Sequence, residues 1–105
     1  MAQDNKDQIK EEFRTLWGAR VLWPSDMGDD MMEDAVNQAI GQLEGKNPDK
    51  DGAEICSAIK EHFDEKWGMG WIVVCGKNFG SYAIHQQHKF IYFYIGQHAF
   101  MLYKV

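Results

Sequence analysis

The chain is poor in cysteine, poor in proline, lacks a long hydrophobic run, and carries no acidic residue in its last third. Its 105 residues include two cysteines, Cys56 and Cys75, and two prolines, Pro24 and Pro48. Two cysteines allow at most one disulfide and do not form the dense framework that small secreted domains use in place of a core. Free thiols in a reducing compartment are the expected state. No stretch approaches the roughly 20 apolar residues of a membrane-spanning helix. The opening MAQDNKDQIKEEF has no apolar segment of the kind a secretory signal needs. A soluble, intracellular protein that does not engage membranes is expected.

The formal net charge is −5, from 16 acidic and 11 basic residues. Residues 24–70 hold twelve acids and four bases, whereas residues 71–105 hold three lysines and no acid. Nucleic-acid affinity depends on cationic contacts to phosphate, which an acidic body with three lysines at one end does not supply. Nucleic acid is therefore not an expected partner.

What is present divides into three parts. Residues 1–18 are polar, with Ile9, Phe13, Leu16 and Trp17 at helical spacing, and read as a flexible or weakly helical extension. The domain proper runs from 19 to 105. Ala19–Trp23 is a short extended segment ended by Pro24. Met32, Val36, Ala39, Ile40 and Leu43 then recur with helical period from Asp29 to Glu44. Ser25 or Asp26 can cap this helix, and Met27, Met31 and Met32 read as packing residues. The breaker-rich EGKNPDKDG separates it from a second helix, where Asp51 and Glu54 have capping-box spacing and Ile55, Ala58, Ile59, His62, Phe63 and Trp67 form one stripe. After Gly68-Met69-Gly70 the composition changes. WIVVC, FGSYAIH, KFIYFYI and HAFMLYK are rich in β-branched and aromatic residues, and nine of the fourteen aromatic residues lie in residues 71–105. Four strands in an antiparallel meander are expected. The fold class is α+β, two antiparallel helices on an antiparallel sheet. The strands look apolar on both faces, and a chain this short has little left to cover the second face, so self-association through the sheet follows.

No catalytic constellation can be assembled, and the protein is not expected to be an enzyme or to carry a cofactor. His85 and His88 flank a turn and no C-x-x-C accompanies them, so no metal site is expected. Cys75 has His85 available in principle, but its place in an apolar strand argues for an inert thiol. GMG at 68–70 precedes a strand where a dinucleotide loop opens a helix, and GKNFGS at 76–81 lacks the phosphate-loop spacing. Asp29 and Glu33 read as a solvated face. What remains is a sheet edge: Gly80, Ser81 and Ala83 leave a strand backbone approachable, and Phe79, Tyr82, Tyr92 and Tyr94 offer aromatic walls. An extended peptide could add there as a further strand; an ordinary packed sheet with a solvated edge is the alternative.

From about Arg20 onward the chain resembles the LC8-type dynein light chain family, on the stretches DMGDDMMEDAVNQAI, EICSAIKEHFDEKWGMGWIVVCGKNFGSYAIH and KFIYFYIGQHAFMLYK. The spacing of GKNFGSY, FIYFY and GQ carries the resemblance. It implies a homodimer with an exchanged strand, Phe79–His85, and a dimer interface that includes Ile72, Phe79, Ser81, Tyr82 and His85. It implies two symmetric peptide grooves built from Asn78, Phe79, Gly80, Ser81, Tyr82, Ala83 and Ile84, with Phe90, Tyr92, Tyr94 and Ala99 behind them. The implied function is that of a non-catalytic dimeric peptide-binding hub, a dynein light chain subunit that binds dynein intermediate chain-like and other extended segments and promotes their dimerisation. The alternative is a dedicated structural subunit of one motor or cytoskeletal complex. The implied location is cytoplasm and cytoskeleton, including the axoneme. The chain departs from the family pattern in its N-terminal extension, its longer inter-helix loop, Ile84 in place of a threonine, Gly52-Ala53 in place of Glu-Lys, and Ile72 in place of an interface histidine.

Overall fold

The computed structural model describes residues 12–23, 25–77 and 90–104. Five strands and two helices occur there in the order β1 (Glu12–Leu16), β2 (Ala19–Trp23), α1 (Asp29–Gly45), α2 (Gly52–Trp67), β3 (Trp71–Gly76), β4 (Phe90–Ile95) and β5 (His98–Lys104). The strands form one antiparallel sheet in the order β1-β2-β4-β5-β3. The α+β class expected from the sequence is the observed one.

Residues 12–16 correct the reading of the extension as a flexible or weakly helical arm. They pair with β2 along its whole length, Glu12 opposite Trp23 and Leu16 opposite Ala19. The spacing of Phe13, Leu16 and Trp17 suits a helix, but Trp17 and Gly18 both have positive φ, 53° and 89°. Two such residues make the tight hairpin turn whose twist matches that of the flanking strands. The turn chemistry outweighs the apolar spacing. The meander is corrected as well. β4 and β5 form a hairpin, but β4 has β2 on its other side, and β3 pairs with β5, from Trp71 opposite Lys104 to Gly76 opposite Ala99. The segment FGSYAIH lies outside the described residues.

Both helices pack on one face of the sheet. Side-chain alternation sends Val21, Trp71, Ile91, Phe93, Phe100 and Leu102 to that face. Met32, Val36 and Ala39 from α1, and Ile55, Ile59 and Phe63 from α2, meet them there, all fully or nearly fully buried. Phe93 stacks on Phe100 with centroids 5.4 Å apart, and Phe63 meets Trp71 edge-on at 4.9 Å. Met27 and Met32 are buried and Met31 packs beside them, so these methionines are packing residues.

The expected side-chain caps are not the ones used. Gly28 occupies the N-cap of α1, and Ser25 Oγ instead donates to the Phe90 carbonyl at 2.6 Å while accepting from the Met27 N–H. That ties the entry of α1 to β4. Asp51 is the N-cap residue of α2, but its carboxylate accepts from the Asn47 N–H and closes the inter-helix loop. Lys60 Nζ donates to Asp64 and to the Trp71 carbonyl, and the Trp71 N–H donates to Asp64, so α2 and β3 are clamped across Gly68 and Gly70.

The helices are latched to each other at Asp34. Its Oδ2 accepts from Trp67 Nε1 and from His62 Nε2, each at 2.8 Å, with Lys66 Nζ at 3.7 Å. Burial opposes ionisation of this carboxyl, but the hydrogen bonds from Trp67 and His62 and the charges of His62 and Lys66 outweigh it and hold Asp34 below its usual pKa. A folded-state pKa below the unfolded one contributes stability that is present above about pH 4 and is lost as pH falls through the folded value. Asp34→Asn should therefore lower stability by about 1 kcal/mol or more at neutral pH and flatten the acid limb of the stability curve below about pH 4. Urea titrations at a series of pH values measure both. A second expectation concerns the hairpin. A Cβ at Gly18 would meet only Ile40 Cδ1 at 3.8 Å, ordinary contact, so any cost of Gly18→Val is backbone strain at φ +89°. A loss of about 1–3 kcal/mol is expected, with Gly18→Asn milder.

Candidate functional site

The face of the sheet turned away from the helices is apolar and aromatic. Leu22, Phe90, Tyr92, Ala99 and Met101 are buried on it, with Val74, Tyr94 and Tyr103 packed against them. The register sets them in cross-strand rows: Ile72 beside Tyr103 and Phe90, Val74 beside Met101 and Tyr92, Gly76 beside Ala99 and Tyr94. Arg20 of β2 extends the last row. Directly opposed side chains on one sheet face lie within contact distance, so each row is a continuous strip.

One end of this face carries polar tips on aromatic bodies. The hydroxyls of Tyr92 and Tyr94 are 3.1 Å apart and share a hydrogen bond. Phe13 leans over both rings, at centroid distances of 6.3 Å and 5.7 Å. The Arg20 guanidinium lies 4.9 Å from the Tyr94 centroid and 5.6 Å from that of Phe13. A cation over aromatic faces adds attraction beyond area burial. At the other end, β3 is the last strand of the described sheet. Ile72 on it is 36% exposed and continues the apolar face to that edge.

Of the residues expected behind a peptide groove, Phe90, Tyr92, Tyr94 and Ala99 lie together on this face, on adjacent strands β4 and β5. Asn78, Phe79, Gly80, Ser81, Tyr82, Ala83, Ile84 and His85 lie outside the described residues. Gly52 and Ala53 open α2. Phe13, Arg20, Met101 and Tyr103 belong to the same face and were not anticipated as site residues. The alternation Phe13-x-Thr15 and Arg20-x-Leu22 carries the signal, but it is too short to stand out beside a helix-like spacing. Asp29 and Glu33 are exposed, as a solvated helix face requires. Among the described residues, no three His, Cys, Asp or Glu side chains cluster as metal ligands, and no helix is long and apolar enough to cross a membrane. Among the described residues this face is built of apolar and aromatic side chains with Arg20 beside them. What it can do is exclude water from an apolar partner and accept hydrogen bonds at tyrosine tips.

Cys75 lies on β3, packed against the main core. It is half-buried and its Sγ stands 2.6 Å from that of Cys56 on α2, on the helix side of the sheet. Periodicity places each cysteine on its own element but not the two elements against each other.

Comparison with known proteins gives the same picture. The model of the family Dynein light chain type 1 matches residues 19–105. A dynein light chain of Schistosoma mansoni is 40% identical over 84 residues, covering 80% of this chain and 91% of the relative. A protein of Emericella nidulans named as a cytoplasmic dynein light chain is 36% identical over 104 residues, covering 99% of this chain and 98% of the relative. The dynein light chain-like domain of a calcium binding protein from Fasciola hepatica superposes with a TM-score of 0.62 over 100% of this chain and 99% of that one, at 17% identity. That likeness concerns the fold alone. With the family model covering residues 19–105, and relatives at 40% and 36% identity matching 80% and 99% of the chain, the protein belongs to the dynein light chain type 1 family.

Proposed function

We propose that this chain is a non-catalytic subunit that dimerises through its sheet and receives extended segments of partner proteins as added β-strands, pairing those partners in doing so. The observation that carries the reading is the aromatic face opposite the helices, in a chain that belongs to a dynein light chain family. Both faces of the sheet are apolar, and the two helices cover one. Ile72 presents apolar surface at the β3 end. A second copy that contributes a strand beside β3 would cover that surface and give a two-fold assembly with a groove on each side. Strand addition draws its affinity from main-chain hydrogen bonds and its specificity from alternate side-chain pockets. By family resemblance the partner segments include those of dynein intermediate chains. The naming of the Emericella nidulans relative as cytoplasmic supports work in the cytoplasm, on a cytoskeletal motor.

Calorimetry with a panel of extended peptides tests the binding. Several peptides should bind at micromolar affinity with one site per chain. Gly80→Trp should abolish binding with unchanged helix content, because a bulky side chain on the receiving strand blocks backbone approach. Absence of any binder in the panel, with one tight assembly partner recovered instead, would mark a dedicated structural subunit.

The dimer itself should tolerate mild acid. Where family members place a histidine at the interface, this chain has Ile72. Burial of a neutral histidine lowers its pKa below an unfolded value of about 6.5, so its contribution is complete above that value and is lost as pH falls below it. Isoleucine has no proton to gain. Sedimentation equilibrium between about pH 7 and pH 5.5 should give a nearly constant dissociation constant for the wild type, while Ile72→His should weaken about tenfold or more over that range. A wild type that sediments only as single chains at micromolar concentration removes the dimer.

A further inference from the structure

Cys56 lies in the second turn of α2 and Cys75 near the end of β3, opposite Phe100 of β5. Their sulfurs are in direct contact. Ordinary core cysteines are fully buried and unreactive. Here both are half-buried. Cys75 also lines a cleft of about 230 Å³ together with Pro48, Asp49, Lys77 and His98. The cleft is on the helix side of the sheet, so the aromatic face does not use these thiols.

We propose that Cys56 and Cys75 form a dithiol modification site. Cys75 reacts with a low-molecular-weight disulfide entering the cleft, and Cys56 resolves the adduct into an intramolecular disulfide. This inference does not depend on the peptide-binding reading.

The two thiols are unequal in a way that suits these roles. The hydrogen bond from the Cys56 thiol favours the Cys75 thiolate and brings Cys75 down to about 7. The same shared proton pushes Cys56 well above an ordinary thiol. Cys75 is the one of the two cysteines that lines the cleft, which makes it the nucleophile of the pair. The polar groups lining the cleft are the ion pair of Lys77 and Asp49, 3.7 Å apart, and the imidazole of His98. When protonated, the Cys75 thiol donates to the Gly52 carbonyl at 3.5 Å.

The exchange balances. The Cys75 thiolate attacks one sulfur of the small disulfide, a new sulfur–sulfur bond forms, and the first small thiolate leaves and takes a proton from solvent. Cys75 is then no longer an anion, so the interaction that held the proton on Cys56 is gone. Cys56 gives its proton to solvent and attacks Cys75 Sγ, and the second small thiol is released. Two protein thiols are oxidised and one small disulfide is reduced to two thiols. The product ties the start of α2 to the end of β3.

The test uses the full chain, oxidised glutathione as the probe, and oxygen excluded. Both thiols should disappear together, giving a single chain lighter by two hydrogens. A non-reduced peptide map should link residues 56 and 75. In Cys56→Ser the reaction should stop at a glutathione adduct on Cys75, and in Cys75→Ser modification should slow by about tenfold or more. Alkylation of wild-type Cys75 should rise with a midpoint near pH 7 and outpace that of Cys56. The wild-type map and alkylation profile decide the matter even if a variant fails to fold. The proposal is overturned by a persistent adduct on the wild type, by disulfides between chains in place of within one, by thiols that do not react, or by equal alkylation of the two cysteines.

Discussion

The contact on which the molecule depends is the seating of two short helices on Phe93 and Phe100. These stacked rings lie at the centre of the β4-β5 hairpin and are almost wholly buried. Val36 and Ala39 of α1 and Ile55, Ile59 and Phe63 of α2 close over them and their neighbours. Burying each large apolar side chain stabilises by roughly 1.5–3 kcal/mol, and in so small a domain few such residues are available. The polar links gather at the margins of this core. Ser25 fastens the entry of α1 to β4, Asp34 latches the helices together, and Lys60 with Asp64 holds α2 to β3. Each satisfies groups that would otherwise be left unpaired beside apolar surface.

Covering one face of the sheet with helices commits the other face to a different role. β4 alternates Ile91 and Phe93 toward the helices with Phe90, Tyr92 and Tyr94 away from them. A strand apolar on both sides is characteristic of a sheet buried on both sides. The hairpin of β1 and β2 reaches part of the second face, where Phe13 and Arg20 lie on the tyrosines. At the β3 end Ile72 stays exposed. Apolar surface left uncovered in this way is the feature on which the proposed association rests.

The pair Cys56 and Cys75 shows how chemistry can arise from packing without a motif. Neither cysteine has a neighbour in sequence that suggests reactivity. The clamp at the end of α2 and the pairing of β3 with β5 set the approach of α2 to β3, and that approach brings the sulfurs together.

Much of the architecture is local and was legible from residue order. The helices follow from 3.6-residue periodicity between strong breakers, and the strands β2 to β5 from β-branched and aromatic runs between turn residues. The family was legible too, because GKNFGSY, FIYFY and GQ stand at a distinctive spacing. The tertiary structure alone decided which strands pair, since β3 and β5 are distant in sequence and their register comes from shared burial on two faces. It decided that residues 12–16 are a strand, because the positive φ of Trp17 and Gly18 turns the chain back on itself whatever the apolar spacing suggests. It assigned Ser25 and Asp51 to partners other than the expected helix caps, because tertiary acceptors and donors lay closer. And it turned two unremarkable thiols into a pair, since proximity across nineteen residues is a property of packing and not of composition.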